Sequence, residues 1–259
     1  MRKMPNLNTR QSEIYQIIKN CGSIKVHDLL PMFDVSAATI RKDLTTMADS
    51  GLIFRTHGEV HLATHNDLML PFESRCSLRS EAKKAIAQAA VREIHEGDSI
   101  ILDSGSTTME IARLLSGFQN LTVITNSLPA VFALNNSQIS VEVVGGTFLR
   151  QNLSIQGPES ERYLSQIEVD KAFICSTGVR RDVGLVASNS LEGRIKHCMI
   201  QAAHKTYAVL DSVKFNTSSI VLFADFDEID CIITEKPIED PLQKARFEQL
   251  GMDLIIADM

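Results

Sequence analysis

In the run IILDSGSTTMEIA, Ile100–Ala112, an apolar β-rich stretch meets Asp103, Ser104, Gly105, Ser106, Thr107 and Thr108 before a helical pattern resumes. Small side chains where a strand turns into a helix expose the first backbone amides of that helix. Those amides form a natural seat for an anion such as phosphate. Two similar junctions follow other apolar runs: Thr125-Asn126-Ser127 and Gly145-Gly146. If the preceding runs are neighbouring parallel strands, all three junctions meet at one edge of a sheet. Asp103 and Asn126 suit the hydroxyls of a sugar. Lys214 could add a cationic contact, with Asp211 orienting it. Each feature alone has a plainer explanation, a Ser/Thr helix cap or a surface ion pair; together they favour a site.

The same residues argue against catalysis. Aldose–ketose chemistry needs a general base at the reacting carbons, usually a carboxylate and often with a histidine for ring opening. The histidines are His27, His57, His61, His65, His95, His197 and His204, and none lies in the three junctions. Asp103 is the sole carboxylate there, and it abuts the phosphate-type loop. No GxGxxG, GxxxxGK[ST] or GxSxG pattern occurs, so no cofactor is expected. The five cysteines form no CxxC and no zinc spacing with histidine, so no metal is expected and the thiols are read as free.

A second constellation lies near the start. Ser36 suits a helix N-cap, and Ile40, Leu44 and Met47 follow as a buried stripe at i, i+4, i+7. The opposite face presents Ala37, Ala38, Thr39, Arg41, Lys42 and Thr45. Small and hydroxyl residues let the start of such a helix approach base edges, and Arg41 and Lys42 can reach guanine edges or phosphates. A helix capped by Asn8 or Thr9, with Ile14, Ile17 and Ile18 inward, and a short helix at residues 26–33 containing Pro31 precede it. A hairpin of Leu52–Arg55 and Val60–Leu62 around His57-Gly58 follows it, bringing Arg55 and His57 beside the helix. The pattern is a winged helix-turn-helix, and its partner would be double-stranded DNA.

These constellations need two kinds of scaffold. Residues 1–62 read as the winged module, 63–80 as a linker containing Pro71, and 81–259 as a larger domain. In the larger domain, expected strands at Ser99–Leu102, Leu121–Thr125, Val141–Val144, Lys171–Ser176, Tyr207–Leu210, Cys231–Thr234 and Asp253–Ala257 are mostly separated by helices. Those helices are Glu81–His95, Thr108–Leu115, Leu128–Leu134, Leu191–Lys205 and Pro241–Leu250. Near-continuous apolar strands between helices mean an α/β fold with a mainly parallel sheet, which binds ligands beyond the carboxyl ends of its strands. Residues 1–60 hold 8 basic and 6 acidic residues, whereas the remainder holds 18 and 26. The mildly basic end is therefore the one suited to nucleic acid. No apolar run is long enough to cross a membrane and the N-terminus lacks a signal-peptide core, so a reduced cytoplasmic protein is expected.

SAATIRKDLTTMADSGLIFRTHGEV resembles the N-terminal signature of the DeoR family of bacterial transcriptional repressors, S-x-x-T-I-R-[RK]-D-L followed by G and R-x-H-G-G. The resemblance implies that this helix enters the major groove and that Ser36, Thr39, Arg41, Lys42, Arg55 and His57 belong to the interface. Asp43 fits a bracing role. Glu59 departs from the pattern, standing where the family usually has a second glycine. The resemblance continues through K-x-x-IAQAAVREIHEGDSIILDSGSTT, TVITNSLPA, VVGGT, DKAFICSTG and VLDSVKF. These are similar to blocks of the family's sugar-phosphate-sensing domain, which implies a fold like ribose-5-phosphate isomerase and glucosamine-6-phosphate deaminase. Val213 departs from D-S-S-K-F, and Arg180 and Arg181 stand in a segment that departs from G-I-D-x-x-x-G-[IL]-T. Lys196 matches a family lysine and fits either a site role or a solvated helix surface. The run IAQAAVREIHEGDSIILDSGSTTM with ITNSLPAVFAL is most similar to repressors of galactitol or related sugar-alcohol operons. The implied protein is a repressor released from its operator by a phosphorylated sugar or sugar alcohol. A single winged module makes few contacts, so a homo-oligomer, dimer or tetramer, is expected to read repeated half-sites.

Overall fold

A computed structural model describes residues 7–49, 52–56, 58–62 and 72–259, and the chain divides into two compact units, Met1–Arg79 and Ser80–Met259. In the first, α1 (Thr9–Cys21) starts at Asn8, whose side chain accepts the Gln11 amide at 2.8 Å while Gln11 Oε1 accepts the Asn8 amide at 3.2 Å. This reciprocal pair satisfies two otherwise orphaned amides. A short strand β1 (Ser23–Lys25), helix α2 (Val26–Leu29) and a 3₁₀ turn (Leu30–Met32) follow. The 3₁₀ turn contains Pro31, which cannot donate to an α-helical ladder and so keeps α2 to one turn. Next come α3 (Ala37–Asp49), β2 (Ile53–Thr56), β3 (Glu59–Leu62) and α4 (Phe72–Ser77). The three strands form one antiparallel sheet in the order β1-β3-β2, so the hairpin gains a third strand that the sequence pattern does not reveal. Ile14, Ile18, Leu29, Ile40, Leu44, Met47, Ile53 and Val60 form a fully buried core under it. Part of the expected linker, residues 72–77, is helical.

The second unit opens with α5 (Ser80–Arg92), β4 (Ser99–Leu102), α6 (Ser106–Leu114), β5 (Thr122–Thr125), α7 (Leu128–Leu134) and β6 (Ser140–Val143). A two-stranded hairpin, β7 (Thr147–Leu149) with β8 (Ser154–Gln156), leads into α8 (Pro158–Leu164) and β9 (Val169–Ile174). Then come β10 (Gly178–Arg180), β11 (Gly184–Ala187), α9 (Ser190–Gln201), β12 (Ala203–Val209) and β13 (Val221–Asp225). The chain finishes with β14 (Cys231–Thr234), α10 (Pro241–Leu250) and β15 (Asp253–Ile256).

Seven strands make one sheet in the order β15-β14-β12-β9-β4-β5-β6, with every neighbouring pair parallel. From β4 the chain winds outward through β5 and β6, then returns to the other side through β9, β12, β14 and β15. The winding direction therefore reverses between β4 and β9. At such a switch point the loops leaving adjacent strands diverge to opposite faces and open a crevice. Two apolar cores, one on each face, hold the sheet; Ile100 and Leu102 belong to one and Ile101 to the other, as strand alternation requires.

The expected helix at 191–205 ends earlier, at Gln201. β12 begins at Ala203, and its first residues pair with β9 before the apolar run starts at Tyr207. Polar edge positions such as His204 and Lys205 hid the strand's start. The small antiparallel sheet β10-β11-β13 was not anticipated either, since its strands are only three to five residues long. Among the described residues no helix is long and apolar enough to cross a membrane, and no group of three metal-ligating side chains gathers.

Candidate functional site

Helix α3 sorts its sequence into a buried stripe and an exposed face. Ser36 Oγ accepts the Thr39 amide at 3.2 Å, and the Ser36 carbonyl accepts Thr39 and Ile40 amides, so the helix starts cleanly at an exposed residue. Ile40, Leu44 and Met47 are completely buried. Ala38, Arg41, Lys42 and Thr45 are exposed and share the opposite face at helical spacing, with Ala37 and Thr39 half-buried beside them. The Thr45 hydroxyl donates to the Arg41 carbonyl at 2.9 Å, which ties it to the helix and leaves its lone pairs outward. Arg55 lies on β2 opposite Val60, and Glu59 stands opposite the next residue, Thr56. His57 and the Arg55 side chain lie outside the described residues.

Asp43 faces away from Arg41. Its Oδ2 accepts from Arg10 Nε at 2.5 Å and its Oδ1 from Gln11 Nε2 at 3.0 Å, so α3 is tied to the first turn of α1. Burial pushes this carboxyl upward, but the Arg10 and Gln11 hydrogen bonds outweigh it and hold it below the ordinary aspartate value.

In the second unit, Asp103 directly follows β4 at the switch point and is wholly buried. Its Oδ1 accepts the Ser104 amide at 2.7 Å, and its Oδ2 accepts the Cys175 amide, from the end of β9, at 2.9 Å. The remaining capacity of Oδ2 is taken by Lys196 Nζ of α9, an ion pair of which both side chains are buried. Lys196 also donates to the Cys175 carbonyl at 3.0 Å and lies 3.8 Å from Glu192 Oε1. Burial alone would drive the lysine toward its neutral form. Asp103, with Glu192 behind it, outweighs that and holds the ammonium above the usual lysine value. Burial, and then the Asp103 charge, push the adjacent Cys175 thiol up, so it is a poor nucleophile.

Asp103 thus shapes the floor of the loop above it. Gly105, in extended backbone, caps α6, and a Cβ there would lie 2.2 Å from Cys175 Sγ, so only glycine fits. The Gly105 amide donates to Thr108 Oγ1 at 3.0 Å. The amides of Ser106, Thr107 and Thr108 occupy the first turn of α6, where no intrahelical acceptor exists. Ser104 Oγ is buried without a hydrogen-bond partner among the described residues.

The neighbouring junctions converge at the same edge because β4, β5 and β6 are adjacent and parallel. Their side chains divide by role. Thr125 Oγ1 donates to the Leu102 carbonyl at 2.6 Å, and Ser127 Oγ caps α7 through the Ala130 amide at 3.3 Å. These two hydroxyls hold the loop. Asn126 Nδ2 donates to the Ile155 carbonyl at 3.0 Å, while its buried Oδ1 has no partner among the described residues. Gly145 and Gly146 are exposed, and a Cβ on Gly146 would meet Gln156 O at 2.7 Å and Ser160 Oγ at 2.6 Å. Gly146 thus lets the chain pass close to β8. Asp211, buried, opens the 3₁₀ turn Ser212–Asn216 after β12, and half-buried Lys214 lies within that turn. β12 is two strands from β4, about 10 Å across the sheet.

Sequence reasoning did not place Lys196 under the loop, although a signal exists. Glu192, Lys196, Met199 and Ile200 form one buried stripe of α9, so a lysine stands at helical spacing among core residues. Gln156, 1% exposed on β8, was missed because nothing in its strand marks it.

A winged helix-turn-helix joined to an α/β unit with an anion-type loop at its switch point defines a DNA-binding regulator with a sensor domain. The chain matches the DeoR-like helix-turn-helix domain over residues 10–66 and the DeoR C-terminal sensor domain over residues 78–236. It belongs to the DeoR family of transcriptional regulators. It is 32% identical to the HTH-type transcriptional regulator IolR of Bacillus subtilis (strain 168), over 95% of this chain and 98% of that protein. It is 32% identical to the L-fucose operon activator of Haemophilus influenzae, over 92% and 96%. With the transcriptional repressor AccR of Agrobacterium fabrum it shares 31% identity over 87% and 88%. Its structural neighbours include ribose 5-phosphate isomerase A from Methanocaldococcus jannaschii, at 17% identity and a TM-score of 0.38 over 52% of this chain and 54% of that one.

Proposed function

We propose that this regulator represses a carbohydrate-utilisation operon and is released from its operator by a phosphorylated sugar or sugar alcohol. Residues Ser36, Ala38, Thr39, Arg41, Lys42 and Thr45 of the α3 region, with Arg55 and His57 of the wing, contact DNA. The phosphate sits on the first turn of α6 among Ser104, Gly105, Ser106 and Thr107, and the sugar extends toward Asn126. Asp103 supports the seat from below through Lys196. Asp211 and Lys214 flank the same sheet edge, and Thr125, Ser127, Gly145 and Gly146 frame it. The observation that carries this reading is the anion-type loop at the switch point, with first-turn amides that no intrahelical carbonyl can accept and the Ser104 hydroxyl, unpartnered among the described residues. Relatives named for a fucose operon and as a repressor support the operon role. The protein acts in the cytoplasm as a homo-oligomer, because one winged module offers too little contact for tight specific binding.

Binding at the seat and release from DNA are reciprocally coupled through two conformations, by about 1–3 kcal/mol or roughly 5- to 150-fold in operator affinity. Thr107→Glu places a carboxylate where the phosphate belongs. The variant should hold operator DNA as wild type does in a gel-shift titration and should not be released by any sugar phosphate of a hexitol, hexose and pentose panel. The free sugars should release wild type poorly, because they cannot use the α6 amides. Release by a free sugar as effective as by its phosphate, or continued induction of Thr107→Glu, would place the sensing site elsewhere.

A further inference from the structure

Three buried polar atoms around the switch point have no hydrogen-bond partner among the described residues: Ser104 Oγ, Asn126 Oδ1 and Gln156 Oε1. Their side chains are 3%, 0% and 1% exposed. Leaving a buried acceptor unpaired costs free energy, so such atoms persist where something else completes them.

The position of Gln156 connects it to the site. β8 runs along the loop that leaves β5: the Ile155 amide donates to the Asn126 carbonyl at 2.8 Å, Asn126 Nδ2 returns a bond to the Ile155 carbonyl, and the Leu128 amide donates to the Leu153 carbonyl at 3.0 Å. Ser154 bridges Ser127 directly. β8 also packs on α9, the helix that carries Lys196. Ser154 and Gln156 share one face of β8, opposite Ile155, and both are buried.

The hydrogen-bond directions define the missing partner. The Ile155 carbonyl can only accept, so it fixes the Asn126 amide group toward itself and leaves Oδ1 as an acceptor. Gln156 Nε2 donates to Ser154 Oγ at 3.2 Å, and its Oε1 is the end left unpartnered. Two acceptors from adjacent elements call for donors. A neutral hydroxyl satisfies them, whereas a carboxylate or a second phosphate would bring lone pairs against lone pairs.

We infer that Gln156, with Asn126, is a specificity-determining residue that accepts hydrogen bonds from hydroxyls of the ligand beyond its phosphate. The effector class is a polyhydroxylated monophosphate, not a bisphosphate or a sugar-acid phosphate. This inference rests on the phosphate-seat reading above and assigns the other end of the same site.

The test compares the full-length protein with Gln156→Leu by calorimetric titration against inorganic phosphate and against a panel of hexitol, hexose and pentose monophosphates. Leu keeps the volume and removes the acceptor. Affinity for the best monophosphate should fall about 5- to 10-fold, the worth of a neutral hydrogen bond, while affinity for inorganic phosphate stays within twofold. The melting temperature of the ligand-free variant should change little, because the orphaned acceptor is removed together with the 3.2 Å bond to Ser154 Oγ; a residue with a merely structural role would lower it markedly. Gln156→Met, which also removes the acceptor on an unbranched, adaptable side chain, guards against misfolding of the leucine variant and should show the same selective loss of affinity for the monophosphate. Equal losses for phosphate and monophosphate, or no loss for either, would overturn the role of Gln156 while leaving the phosphate seat standing. If wild type binds neither inorganic phosphate nor any panel member, the phosphate-seat reading fails and this inference falls with it.

Discussion

Asp43 in the first unit and Asp103 in the second are each clasped by a cation, and these two clasps differ in their surroundings. Asp43 meets Arg10 at the edge of the helix-turn-helix, where Arg10 keeps 32% of its side-chain exposure. Asp103 meets Lys196 with 0% and 1% exposure, beneath the loop that opens α6. In the first, water can replace a lost partner, so the pair is a local brace that sets the angle between α1 and α3. In the second, water has no access, so each charge depends on the other. A buried pair adds little net stability over a well-packed apolar pair, yet losing one partner strands the other charge. The same chemistry thus serves orientation at the surface and becomes obligatory in the core.

The largest effect that should expose this difference is Lys196→Met. It strands Asp103 and should cost about 3–5 kcal/mol in denaturant unfolding of the sensor unit, with Asp103→Asn in the same chain restoring a large part. A loss below about 1 kcal/mol would mean that the clasp is as forgiving as a surface pair. DNA reading comes next. Arg41→Ala should cost about 1–3 kcal/mol of operator affinity and relax specificity, while Lys42→Ala should weaken specific and non-specific binding alike and reduce the salt slope by about 1. If neither titration changes, α3 is not the reading head.

The smallest effect belongs to the surface clasp. Asp43→Asn should destabilise the N-terminal unit by on the order of 1 kcal/mol at neutral pH. The folded value of the Asp43 carboxyl lies below its ordinary value. Its contribution is therefore present above the ordinary aspartate value and is lost as pH falls through the folded one. Hydrogen exchange of the α1 and α3 amides should therefore differ between wild type and variant at pH 7 and converge only as pH falls below the ordinary aspartate value and through the folded one. A difference that persists in acid would assign the effect to packing rather than charge.

What could be read directly from sequence follows from locality. The cap at Ser36, the stripe Ile40, Leu44 and Met47, and the exposed Arg41 and Lys42 all lie within twelve residues, so helical periodicity alone sorts them into an inner and an outer face. The strands β4, β5, β14 and β15 were visible for the same reason, since each is an apolar run bounded by polar residues. The loop 103–108 announced itself through its small hydroxyl residues. Its partners did not, because Cys175 and Lys196 are separated from Asp103 by 72 and 93 positions. Only the order of the sheet, with β4 beside β9 and α9 packed on β9, joins them. The same holds for Gln156: it reads as an ordinary strand residue until the β7–β8 hairpin lays it along the loop after β5 and buries its Oε1 without a partner among the described residues. Sequence by itself determined which helices and strands form and which small residues sit at their junctions, because those depend on neighbours within a few turns of chain. Which distant charges share one dry space, and which polar atoms are buried beside them, was decided by tertiary packing, since burial and pairing are properties of the assembled sheet and not of any segment of it.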